Sequence, residues 1–126
     1  MNFDVIFSQN AVLGRAVRAA GLRGEIIAYN IANNDTPNFK KRAVKFESYL
    51  QRELDQARRT GTINLSRLEP SIRTIHQNYR YRLDGNNVDI EAEMVDLYQN
   101  AIRYETMIDS MNHNTRRFNL VLQGMR

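Results

Sequence analysis

Two histidines and one cluster of acids are the side chains of this 126-residue chain that could move a proton or hold a metal. His76 and His113 each stand without a second histidine or a carboxylate pair at ligand spacing. Neither reads as part of a metal site or as a general base with an orienting partner. Glu91, Glu93 and Asp96 crowd the start of a helical stretch, where carboxylates meet the positive end of the helix dipole. Capping accounts for them without acid–base work. The chain has no cysteine, which excludes a disulfide framework and a thiolate metal site. Neither a phosphate-loop nor a dinucleotide glycine pattern occurs. Lys40, Lys41 and Arg42 could clamp a phosphate, but their composition reads as a solvated loop. Tyr98 and Tyr104 fall at helical spacing and read as core or interface. The sequence predicts no enzyme, no cofactor, no metal and no small-molecule substrate.

The chain carries a helical pattern instead. From Asp89 to Arg126, the residues Ile90, Met94, Leu97, Ala101, Tyr104, Ile108, Met111, Thr115, Phe118, Leu122 and Met125 step alternately by four and three, which is a heptad seam. No proline interrupts it, and no glycine precedes Gly124. At about 1.5 Å per residue the rod would be on the order of 55 Å long, so its seam needs a partner. Phe3, Ile6, Asn10, Leu13, Val17, Ala20, Gly24, Ile27, Ile31 and Asn34 form a second seam near the other end. Gly14, Gly21 and Gly24 each cost about 1 kcal/mol against alanine, so this helix should form only when packed. The same glycines admit a close neighbour. A flanking stripe of Val12, Ala16, Ala19 and Ile26 makes its apolar face wider than one antiparallel partner would cover.

The first helix should stop at Asn33-Asn34-Asp35-Thr36-Pro37-Asn38-Phe39, because proline disfavours helix before it and asparagine tolerates the left-handed conformation. Phe46, Tyr49, Leu50, Leu54 and Ala57 mark a short amphipathic helix within Val44 to Arg59, ended by Gly61. Thr60 to Glu69 reads as loop. Tyr79, Tyr81 and Leu83 alternate with Arg80 and Arg82 at the period of a short strand. Asp84-Gly85-Asn86-Asn87 is turn chemistry, and Asp89 occupies an N-cap position. The expected fold is mainly α: an N-terminal helix within 1–36, a short mixed or irregular connecting segment at 37–84, and a C-terminal helix within 85–126. The two long helices should pair as an antiparallel coiled coil.

Both ends also carry a resemblance. The run Asn30, Ile31, Ala32, Asn33, Thr36, Pro37, Asn38 and Phe39 resembles the signature near the N-terminus of bacterial flagellar rod and hook proteins. Asn38 departs from it, since glycine is usual there, but asparagine is the next-best left-handed residue. Gly85, Asn86, Asn87, Val88, Asp89, Glu93 and Met94, continuing to Leu97, Asn100, Arg103 and Tyr104, resemble the C-terminal signature of the proximal-rod, FlgB-type branch.

The resemblance implies a structural subunit of the proximal rod, part of the axle that transmits torque and lines the export channel. It implies assembly along the seams, at Leu13, Val17, Ala20, Ile27 and Ile31 on one helix and Met94, Leu97, Ala101, Tyr104, Ile108, Met111, Phe118 and Leu122 on the other. The implied partners are further copies, other rod proteins, the small adaptor between rod and export gate or membrane ring, and the type III export apparatus. Neighbouring copies would cover the wide face of the first helix. The implied site is the basal body in the cell envelope, within the periplasmic space, reached without a cleavable signal peptide. Two alternatives stand beside it. A net charge of +4 with a pI near 9.7 allows a basic helical nucleic-acid-binding protein, although the basic residues are scattered and interspersed with acids. A helical adaptor that binds one partner and never polymerises is the other.

Overall fold

The computed structural model describes residues 3–76 and 82–125. A long helix α1 (Phe3–Ala32) is followed by a strand β1 (Arg42–Lys45), a helix α2 (Glu47–Thr60), a 3₁₀ turn at Leu65–Arg67, a strand β2 (Ser71–Thr74) and a second long helix α3 (Ile90–Gly124). The chain is mainly helical, and its dominant packing is α1 against α3. As α3 advances, its partners on α1 recede. Glu93 meets Asn30, Asn100 meets Gly24, Tyr104 lies beside Gly21, Asn114 meets Asn10, and Phe118 meets Phe7 edge-on at 5.4 Å between ring centroids.

The face that α3 turns to α1 is polar at intervals. Glu93, Leu97, Asn100, Met107, Ile108, Met111, Asn114, Phe118 and Val121 are buried or half-buried, whereas Met94, Ala101, Thr115 and Leu122 are exposed. Alternate contact positions thus sit one residue before those an apolar pattern selects. The polar residues face inward because they find partners there. Asn100 donates to the Ala20 carbonyl at 2.8 Å, and Asn114 donates to Asn10 at 3.0 Å. Gly24 makes room for the first of these, since a Cβ there would lie 3.4 Å from the Asn100 amide nitrogen.

The extra width of the α1 face is covered from within the chain, not reserved for neighbours. Ala19 joins Phe46 and Leu68 in a buried cluster, with Val12, Ala16, Leu50, Ile63 and Leu65 packed around it. Leu68 is fully buried although it lies within the stretch expected to be loop. That stretch is fastened by Glu53, a buried carboxylate that accepts from the Asn64 N–H at 3.3 Å and pairs with Arg67 at 3.5 Å. Gly61 closes α2 as expected, with φ of 75° and its N–H bonded to Ala57.

One further expectation needs correction, and another falls largely outside the described residues. Lys40 to Arg42 is not a solvated loop: Lys40 and Lys41 are half-buried and Arg42 opens β1. The strand expected at Tyr79 to Leu83 falls largely at Tyr79, Arg80 and Tyr81, outside the described residues; Leu83 itself lies in an exposed turn. The strand that pairs with β1 is β2, antiparallel, with Arg42 opposite Thr74 and Val44 opposite Ile72. Two strands alone are marginal. This pair is stabilised by burying Val44 and by side-chain bonds from the end of α1.

Candidate functional site at the junction of the long helices

The end of α1, the entry to β1 and the start of α3 meet in a knot of buried polar side chains. Asn30 sits on the last turn of α1 with 1% of its surface exposed. Its Oδ1 accepts from the Arg42 N–H at 2.9 Å while its Nδ2 donates to the Arg42 carbonyl at 2.8 Å. The carboxamide therefore does for Arg42 what a neighbouring strand would do, exchanging both backbone bonds. The same Nδ2 donates to Glu93 Oε2 at 3.0 Å. Glu93 is buried and its other oxygen takes Lys41 Nζ at 3.2 Å, so the carboxylate is paired and hydrogen-bonded, the condition for tolerating a charge indoors.

Asn86 and Asn87 perform two different tasks. Asn86 Nδ2 lies within 3.0 Å of the carbonyls of Asn33, Asn34 and Thr36, in the turns that follow α1. Its Oδ1 accepts from the Val88 N–H at 2.8 Å. Asn87 Oδ1 accepts from the Lys41 N–H, and its Nδ2 donates to the Ile75 carbonyl, each at 2.7 Å, which ties the ends of β1 and β2 together. Arg82 adds bonds to the Asn34 carbonyl and side chain at 2.6 and 2.9 Å and an ion pair with Asp84 at 3.1 Å.

Two left-handed residues close the knot. Asn38 has φ of 59°, as the turn reading expects, and its N–H donates to the Asp84 carbonyl at 2.8 Å. Gly85 has φ of 77° and faces it; Lys40 Nζ bonds the Gly85 carbonyl. Phe39 lies tilted against Tyr29, 5.7 Å between centroids, and the Arg42 guanidinium lies 4.9 Å over the same tyrosine ring. Asp89 caps α3, accepting from the Glu91 and Ala92 N–H groups. A cleft of about 640 Å³ opens beside the knot, lined in part by Lys41, Arg82, Asn86 and Asp89. Among the described residues no group of histidines and carboxylates could hold a metal ion. The arrangement fixes geometry: it sets how the two helix ends leave one junction.

Most of the residues that form this junction come from the two sequence runs flagged above. No family model matches the chain. It is 32% identical over 117 residues to the flagellar basal body rod protein FlgB of Bacillus subtilis, covering 89% of this chain and 91% of the relative. The FlgB protein of Borrelia hermsii is 34% identical over 125 residues, covering 86% of this chain and 91% of the relative. That of Yersinia enterocolitica is 30% identical over 130 residues, covering 93% and 91%. The chain belongs to the FlgB family.

A FlgB-family protein is a structural component of the flagellar basal body rod. In this member the junction brings together Asn30, Asn33, Thr36, Asn38, Phe39, Gly85, Asn86, Asn87 and Glu93, with Val88 buried beside them. Ala32, Pro37, Met94 and Arg103 are exposed and make none of these bonds. Of the seam residues, Ala20 and Ile27 are buried; Leu13, Val17, Ile31, Leu97, Ile108, Met111 and Phe118 are half-buried; Met94, Ala101, Tyr104 and Leu122 are exposed. Sequence reasoning missed Asn34, Lys41, Arg42, Arg82 and Asp84 as parts of the junction. The asparagine density of the two runs was the available signal, since a carboxamide can replace a peptide group in either direction.

Proposed function

We propose that the chain is a rod subunit whose α1 and α3 act as an antiparallel coiled coil, and whose copies polymerise with one another and with other rod proteins into the proximal rod. The observation that carries this reading is the outward face of α3, where Val95, Tyr98, Ile102 and Leu120 are each more than half exposed on the side away from α1. Covering what remains exposed of each such side chain in an assembly gains on the order of 1–2 kcal/mol. The junction supports the same role, because a subunit that transmits torque needs its two helices held at a fixed angle to the connecting segment. The basic side chains speak against a nucleic-acid partner: Arg15, Arg18, Arg23, Lys41, Arg58, Arg67 and Arg82 all pair with carboxylates.

On this reading the subunit is not an enzyme. It passes through the type III export apparatus, meets the adaptor at the export gate or membrane ring, and occupies the periplasmic part of the basal body. Among the described residues no helix is long and apolar enough to cross a membrane. Expression of a tagged chain in a strain lacking its own copy tests the proposal. Flagella and swimming should return, with the chain in purified basal bodies. Restored swimming with the chain confined to the cytoplasm would refute it.

A further inference from the structure

The exposed ridge of α3 is divided along its length. Its first half carries the exposed apolar residues Val95, Tyr98 and Ile102, followed by Glu105 and Asp109. Its second half carries Arg116, Arg117 and the exposed Leu120, with no acid after Asp109. Glu105 and Asp109 lie one turn apart, a like-charge spacing that disfavours an isolated helix. Among the described residues, Glu105, Asp109, Arg116 and Arg117 make no ion pair.

We propose that this ridge is a joint between copies of the chain, in which Arg116 and Arg117 of one copy lie against Glu105 and Asp109 of the next, the two α3 helices running in the same direction with an axial offset. The inference rests on the rod reading above and names the face that the neighbouring copy occupies. Parallel helices in register would set Glu105 and Asp109 against their own counterparts. An antiparallel pair would match the charges but close on a two-fold axis and go no further. An offset parallel pair matches the charges and leaves an unused acidic half at one end and an unused basic half at the other, so the contact repeats. Glu105 and Arg116 are eleven residues apart, close to three whole turns, so both project from the same side of the helix. The offset is therefore about 16 Å.

The absence of cysteine makes the contact readable without background. Full-length Glu105→Cys, Arg116→Cys and His113→Cys variants are expressed singly, and the first two also together, in a strain lacking its own copy. Isolated basal bodies are then oxidised with copper phenanthroline under air. The expected result is a shift from monomer to dimer in the mixed Glu105→Cys and Arg116→Cys sample, with each single variant staying monomeric. Dimers of Glu105→Cys alone would show in-register packing, and dimers of His113→Cys alone an antiparallel pair; either overturns the offset. Crosslinks to a different basal-body protein, or monomer throughout, also overturn it. In all four cases the chain is in the basal-body fraction and the rod reading stands. Absence of the unaltered chain from that fraction would overturn both.

Discussion

Gly85 and Asn38 are the residues whose replacement separates two kinds of strain. Gly85 has positive φ, and a Cβ there would also lie 2.6 Å from Asn38 Oδ1 and 3.7 Å from Asn38 Cα. Gly85→Ala should lose about 1 kcal/mol to backbone strain alone, and more from displacing Asn38. Asn38→Gly should change stability by only a few tenths of a kcal/mol, because both residues accept the left-handed region. Placed together, the two changes should cost less than their sum, since the glycine removes the obstructing carboxamide. Urea denaturation of the four proteins checks this; a Gly85→Ala penalty identical in both backgrounds would show that the Asn38 side chain is no obstacle. Asn86→Asp is the companion case. It keeps the shape but replaces the donor shared by three carbonyls with a carboxylate, so it should destabilise by about 1–3 kcal/mol at neutral pH. Those carbonyls disfavour the charged form, so the folded-state pKa of the new acid lies above its unfolded value of about 3.9. The charge penalty is absent below that unfolded pKa and grows as pH rises towards the folded one. Melting curves relative to the unaltered chain should therefore show a larger deficit at pH 7 than at pH 4.

The two glycines of α1 that differ most in surroundings make the test at the level of the element. Around Gly14 a Cβ would meet nothing within 4 Å, whereas at Gly24 it would press on Asn100 at 3.4 Å. Gly14→Ala should stabilise the chain by about 0.4–1 kcal/mol through helix propensity and a smaller unfolded-state entropy. Gly24→Ala should gain nothing or lose, because Asn100 is held by the Ala20 carbonyl and its Oδ1 is already buried without a partner. Thermal denaturation of both variants decides it, and an equal rise in Tm would mean that Asn100 yields freely. The same contact shows where sequence pattern succeeds and stops. The long helices, the cap at Asp89, the stop at Gly61 and the left-handed Asn38 were legible because each depends on local backbone chemistry. The inward turn of Glu93, Asn100 and Asn114 was not, since heptad reading scores polar residues as outward. These three face in only because α1 offers partners at matching heights. Leu68 was hidden for a related reason: a single buried leucine in an aperiodic stretch has no period to betray it. The two runs that form the junction were legible as motifs, but their mutual contact spans roughly fifty residues of sequence and belongs to tertiary structure alone.

At the scale of the molecule, stability should be uneven along the α1 and α3 pair. One end is tied by the junction, by the sheet, and by the Ala19, Phe46 and Leu68 cluster further along α1. At the other end, among the described residues, α1 and α3 pack on each other, with Asn10 bonded to Asn114 and Phe7 edge-on to Phe118. Helical segments of a few turns are marginal in water without such support, so this end should open locally at much less than the global unfolding free energy. In dilute solution, amides at 19–30 and 93–104 should exchange only as slowly as global unfolding allows. Those at 3–12 and 113–124 should exchange fast. Phe118→Ala should then quicken exchange at the loose end while leaving the slow amides near the junction almost unchanged, because the contact it removes lies in the part that opens first. In basal bodies the loose end should become protected as neighbours cover it, the ordering entropy being recovered on assembly. Hydrogen exchange read by mass spectrometry resolves these segments. Uniform protection along both helices in the dilute chain would show that the free subunit is already rigid from end to end, and assembly would have nothing left to order.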